Sequence, residues 1–99
     1  MDNIQIIERL VADGKLHEAV ERLGVMLAET TSADGREDAC AIADLYFRRG
    51  KLSWRLGNRA AATSDYAHAA ALDPTSPAVK ALEQAVAVAD FFNPDLYNP

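Results

Sequence analysis

The sequence predicts an all-α domain built from helical hairpins, and three observations carry that reading. Apolar residues recur three and four positions apart along most of the chain, the spacing that lines one face of a helix. No stretch sustains an alternation of period two over a strand's length with turn residues at both ends. A glycine, an alanine and a larger apolar residue also recur in register: Gly14, Ala19 and Leu23 return as Gly57, Ala62 and Tyr66, each pair 43 residues apart.

Taken in order, Ile4, Ile7, Leu10 and Val11 mark a first helix, which Gly14 closes by taking the left-handed conformation. Leu16, Ala19, Val20, Leu23 and Leu27 mark a second, so the first pair forms a hairpin. Gly24 inside it costs about 1 kcal/mol relative to alanine and marks a close crossing or an early kink. The run TTSADGRED reads as a loop from about Thr30 to Gly35, followed by a long helix from about Glu37 to Leu56. Glu37 and Asp38 favour that helix start through the macrodipole. Gly57 ends it, and Asn58 caps a fourth helix over about Arg59 to Leu72. Asp73-Pro74 stops the fourth, because a residue before proline is driven out of the helical region. Thr75 or Ser76 caps a fifth, with Pro77 in its first turn and an end near Phe92. The closing NPDLYNP reads as an extended or turning tail.

Ninety-nine residues with 49% hydrophobic and 25% charged side chains fit one globular domain, with no run of roughly 18 apolar residues that would span a membrane. The start MDNIQIIERL carries Asp2 and Glu8 where a secretory signal needs a basic start and an apolar run, so a cytoplasmic location is expected. Cys40, the one cysteine, excludes an internal disulfide and is expected as a small buried helix residue. A net charge of -5 argues against nucleic acid, whose binding rests on cations that release counterions. The cations are nevertheless clustered: Arg48, Arg49, Lys51, Arg55 and Arg59 supply five of the ten Lys and Arg.

The recurring pattern has a steric reason. A glycine ends one helix, a small alanine lets the next lie close against it, and a larger side chain one turn on fills the space beyond. At these residues the chain resembles the tetratricopeptide repeat, a helix-turn-helix unit of about 34 residues with a W-x2-L-G-x2-Y, A-x3-F and terminal P pattern. The matching unit runs from Ala43 to Ser76, with Tyr46 at the tryptophan place, Gly50 at the glycine, Ala62 and Tyr66 at the A-x3-F pair, then Ala69 and Pro74. Arg49 replaces the leucine and Ser53 the tyrosine; a buried arginine being costly, Arg49 is expected to reach solvent along its stem. Leu10, Gly14, Ala19, Leu23 and Met26 form a more degenerate copy that lacks the closing proline, with about nine extra residues placed between Thr30 and Asp38. The end of the chain also looks like the ends of small bacterial proteins of this kind. The resemblance implies a right-handed superhelix of about five antiparallel helices in one domain, 1–99: a degenerate unit and loop over 1–35, the better unit over 36–76, and a capping helix and tail over 77–99.

The resemblance further implies a protein-protein interaction module, an adaptor or scaffold that binds a peptide or partner protein in a concave groove lined by the first helix of each unit. It places Asp44, Phe47, Lys51, Trp54 and Arg55 toward that groove, with Arg48 beside them. Phe47, Lys51, Trp54 and Arg55 stand at i, i+4, i+7 and i+8, a common face that suits an acidic or aromatic segment. The other reading packs Phe47 and Trp54 in the core and leaves the cations as a solvated face. Some family members clamp the acidic C-termini of heat-shock chaperones with cations from successive units. The corresponding places here hold Ile4, Glu8, Arg48, Ala78 and Leu82, a single cation, which argues against chaperone-tail binding.

The fifth helix offers a narrow polar stripe of Lys80, Glu83, Gln84, Ala87 and Asp90, with apolar residues over most of the remaining arc. Such a helix is normally covered on more than one side. Either the tail with Phe91, Leu96 and Tyr97 folds back as a cap, or a second copy or another protein completes the surface. The alternative function is therefore structural self-association as a homodimer through this helix. No catalysis is expected: His17 and His68 fall in no zinc motif and read as surface helix residues, and no glycine-rich phosphate loop or nucleophile elbow is present. No cofactor, metal, nucleic acid or membrane is expected.

Overall fold

The computed structural model describes residues 2–32 and 39–92, and the chain there is all helical. Five helices follow in order: α1 (Asn3–Ala12), α2 (Leu16–Ser32), α3 (Ala39–Arg55), α4 (Arg59–Leu72) and α5 (Ala78–Phe92). No helix among the described residues is long and apolar enough to cross a membrane.

Local chemistry sets each boundary. Asp2 caps α1 through a capping box: its carboxylate accepts from the Gln5 backbone N–H at 2.8 Å while the Gln5 side chain accepts from the Asp2 N–H at 3.2 Å. At the other end Gly14 has φ 78°. The Lys15 N–H donates to the Leu10 carbonyl at 2.8 Å and the Gly14 N–H to that of Val11 at 3.0 Å, a Schellman closure. The same closure recurs after α3, where Gly57 has φ 86°. There Asn58 N–H donates to Ser53 at 2.8 Å and Gly57 N–H to Trp54 at 3.0 Å. Asn58 caps α4 as the sequence predicts, accepting from the Ala61 N–H at 3.2 Å.

Two placements differ from expectation. α2 continues through Thr30 to Ser32, because the Thr30 hydroxyl donates to the Leu27 carbonyl at 2.7 Å and keeps the last turn satisfied. The expected loop residues beyond it, and the expected helix start at Glu37 and Asp38, lie outside the described residues. Cys40 is exposed, not buried, because it stands in the first turn of α3, where Ala39 and Ala41 are exposed as well. Between α4 and α5, Asp73 takes an extended conformation before Pro74, and its carboxylate accepts from both the N–H and hydroxyl of Thr75, at 3.0 and 2.6 Å. Ser76 then accepts from the Ala78 N–H at 3.0 Å to open α5.

Each helix packs chiefly on its neighbours in sequence, and the molecule extends 51 × 32 × 21 Å with a radius of gyration of 14.6 Å. That exceeds the roughly 13 Å of a rounded domain of this size, as a row of stacked hairpins does. Two cores flank α3. One joins Ile7, Ala19, Leu23, Met26, Leu27, Leu45 and Leu52 from the first three helices. The other joins Ala43, Ala62, Tyr66, Ala69, Ala78 and Ala85 from the last three. Ala19, Ala62 and Ala69 are each 0% exposed, so the recurring alanines face a neighbouring helix. Gly50 lets α3 and α4 approach: a Cβ there would lie 2.7 Å from Tyr66 Cε1 and 3.3 Å from the Ala62 carbonyl oxygen.

Arg49 does not run along its stem to solvent. Its Nε and Nη2 each donate at 2.8 Å to the two carboxylate oxygens of Asp65 on α4, a bidentate pair whose side chains are 28% and 6% exposed. That pairing pushes the guanidinium pKa above its usual value, desolvation opposing. Gly24 lies beside this pair: a Cβ there would stand 3.6 Å from Arg49 Nη1, an ordinary contact that does not demand a glycine. α2 runs unbroken through it from Leu16 to Ser32.

α5 is covered on one side. Ala78 and Ala85 are buried, Ala81, Leu82 and Val88 are half-buried, and Val86 is 44% exposed. Lys80, Glu83, Gln84 and Ala87 face solvent as the stripe predicts. The side chains of Asp90 and Phe91, and the tail with Leu96 and Tyr97, lie outside the described residues.

Candidate functional site

Around α3 the residues sort by angle. Taking Phe47 as zero and roughly 100° per residue, Trp54 falls near −20°, Lys51 near 40°, Asp44 near 60°, Arg55 near 80° and Arg48 near 100°. The expected face is thus two adjacent rows, one aromatic and one charged. Gly50 and Ala43 lie beyond the aromatic row in the second core, and Leu45 and Leu52 lie beyond the charged row in the first.

The charged row borders a groove of about 240 Å³ between α1 and α3, lined by Ile7, Glu8, Val11, Arg48, Lys51, Leu52 and Arg55. Ile7 and Leu52 are buried and form its floor, with half-buried Val11 beside them. Arg48 Nε donates to Asp44 Oδ2 at 2.7 Å, and its Nη1 stands 3.9 Å from Glu8 Oε1. Arg48 is therefore largely neutralised by its own chain. Lys51 and Arg55 are exposed and make no ion pair with a described residue. Lys51 Nζ lies 5.4 Å from the Phe47 ring centroid, a cation-π contact that leaves its ammonium open to water.

The aromatic row turns the other way. Phe47 is half-buried and tilts against Tyr66, centroids 5.9 Å apart. It packs on the second core, as the reading that placed it there expects. Trp54 is also half-buried on that core, yet it lines a second groove of about 470 Å³ with Tyr66, Ala81, Gln84, Ala85, Ala87 and Val88. Arg59 sits over its ring, 5.4 Å from the centroid. Burial first, and the Asp65 charge second, push the Tyr66 phenol above its ordinary pKa.

Of the six expected residues, Arg48, Lys51 and Arg55 meet in the first groove, Trp54 lines the second, Asp44 orients Arg48, and Phe47 packs inward. On the α1 wall, sequence reasoning named Glu8 among the groove places and missed Ile7 and Val11. Ile7 and Val11 were legible only as apolar helix positions, and nothing local says which helix they will face. Glu8 and Arg48 line the same groove from opposite sides, one on α1 and the other on α3.

Among the described residues no group of three or more His, Cys, Asp or Glu is placed to hold a metal ion. His17 and His68 are exposed, and His68 stacks on Tyr46 with centroids 5.0 Å apart.

No family model matches the chain, and no curated protein matches it. The fold is similar to the solution NMR structure of the Bacteroides fragilis protein BF1650, with a TM-score of 0.74 and 26% identity over 99% of this chain and 91% of that one.

Proposed function

We propose that the chain is a protein-protein interaction module of tetratricopeptide type, an adaptor that binds a peptide or partner protein on the open side of α3. The observation that carries this reading is the position of the two grooves. One lies between α1 and α3, with Arg48, Lys51, Leu52 and Arg55 along its α3 side; the other lies along α5 and meets α3 at Trp54, with Tyr66 of α4 beside it. First helices of stacked hairpins thereby share one surface, the arrangement that repeat arrays use for binding. The repeated Schellman closures and the Gly50–Tyr66 approach support the repeat assignment. On this reading the chain works in the cytoplasm, without cofactor and without catalysis.

The test is a pull-down from the native cell with the wild-type chain and a Lys51→Glu/Trp54→Ala variant, identified by mass spectrometry. The expected result is a partner captured by the first and lost by the second, with circular dichroism unchanged. A partner retained by the folded variant contradicts the reading. Exposed Val86 beside the second groove favours a second reading, self-association through α5. Light scattering on the eluted protein separates them: a monomer fits the adaptor, a dimer dissociated by Val86→Glu fits self-association.

A further inference from the structure

We infer that the α1/α3 groove takes an acidic amphipathic helix from a partner protein, recognised by one row of carboxylates and one row of aliphatic side chains. The inference rests on the interaction-module reading and names the ligand of one of its two grooves.

Charge is the first argument. The chain carries a net charge of -5, yet Lys51 and Arg55, which make no ion pair with a described residue, stand together on one rim of this groove. Arg48 beside them is already held by Asp44 and Glu8. The rim therefore presents two neighbouring cations without an ion-pair partner among the described residues, on a chain of net negative charge.

Size and spacing supply the rest. About 240 Å³ lies below the range of pockets that enclose whole small molecules, and suits one or two inserted side chains. Lys51 and Arg55 are i, i+4 on α3, and Ile7 and Val11 are i, i+4 on α1. A cationic pair of that spacing on one side of the groove and an aliphatic pair on the other match a helix laid between them with Glu at i and i+4 and Leu at i+3 and i+7. The Glu row meets the α3 rim and the Leu row meets half-buried Val11, above a floor closed by buried Ile7 and Leu52. Glu8, on the α1 wall, fixes the orientation, because it disfavours carboxylates on that side.

The experiment is fluorescence anisotropy with a labelled, end-blocked, alanine-based peptide of about 18 residues, long enough to form helix alone, carrying this Glu and Leu pattern. Control peptides replace Glu by Gln, or Leu by Ala. The protein is the full chain and its Lys51→Glu/Arg55→Glu variant, whose exposed positions leave the fold intact. The expected result is binding of the Glu/Leu peptide, weakened about tenfold or more by either control, by the variant and by raised salt. A peptide with Lys in place of Glu should recover binding to the charge-reversed variant. Equal affinity for the Gln peptide, unchanged affinity of the variant, or no binding of the acidic peptide overturns the inference. A native partner captured through Trp54 while the acidic peptide is ignored also overturns it, and leaves the interaction-module reading standing.

Discussion

The Tyr66 ring lies where a side chain on Gly50 would begin, 2.7 Å from Cε1 to the position a Cβ would take. Tyr66 is 5% exposed, and the Ala62 carbonyl oxygen, a backbone atom, would stand 3.3 Å from the same Cβ. Gly50→Ala gains about 1 kcal/mol of helix propensity, but overpacking of this kind costs about 1–3 kcal/mol. The difference is a net loss of up to about 2 kcal/mol, with a fall in thermal midpoint of roughly 4–8 °C per kcal/mol. Adding Tyr66→Leu should recover part of the loss, and calorimetry on the three variants checks it.

Arg49 and Asp65 form the one ion pair among those described that ties α3 to α4 with a buried carboxylate. Arg49→Leu restores the residue type of the repeat pattern yet strands Asp65, and breaking a buried pair this way costs about 3 kcal/mol. Arg49→Leu/Asp65→Leu removes both charges and should regain most of that. Urea unfolding of the single and double variants measures it; a single variant as stable as wild type would show that the pair is merely a surface contact.

Asp73 is held below its ordinary pKa, first by the Thr75 hydroxyl and then by the Thr75 N–H. A carboxyl with a depressed folded pKa binds its proton more weakly folded than unfolded. Its contribution is therefore present above the unfolded pKa and lost as pH falls through the folded one. Thr75→Val removes the hydroxyl bond and keeps the backbone one. The Asp73 pKa should rise toward the ordinary value, read by carboxyl-carbon NMR titration, and an unmoved pKa would discount the turn's hydroxyl bond.

Gly14 and Gly57 hold positive φ with open space around a would-be Cβ, so the cost of alanine there is conformational alone. Each Gly→Ala should cost about 1–2 kcal/mol. Set 43 residues apart in separate hairpins, the two changes should add within about 0.5 kcal/mol in urea unfolding.

Much of this architecture was legible in the residues. Glycines at 14 and 57 and alanines at 19 and 62 announce a turn and a close approach wherever they recur at that spacing, because no other residue types do both jobs as cheaply. Less legible were features that depend on what lies across a helix interface. Arg49 reads as a misfit until Asp65 faces it, and no local pattern distinguishes Asp65 from the other acids. Cys40 reads as buried from its residue type, yet it sits in the exposed first turn of α3. The face from Asp44 to Arg55 was found as one stripe; its division into a charged and an aromatic row was available from the helical angles and becomes plain once two cores are seen to flank α3.

The claim on which the functional account turns is that partners meet the open side of α3. Amide chemical-shift mapping on the labelled chain, titrated with the captured partner, tests it most directly. The account predicts that perturbations gather at Glu8, Val11, Lys51, Leu52, Trp54 and Arg55 and leave Glu21, Val25 and His68 on the outer faces of α2 and α4 unmoved. Perturbations confined to those outer residues, with the grooves silent, would contradict it.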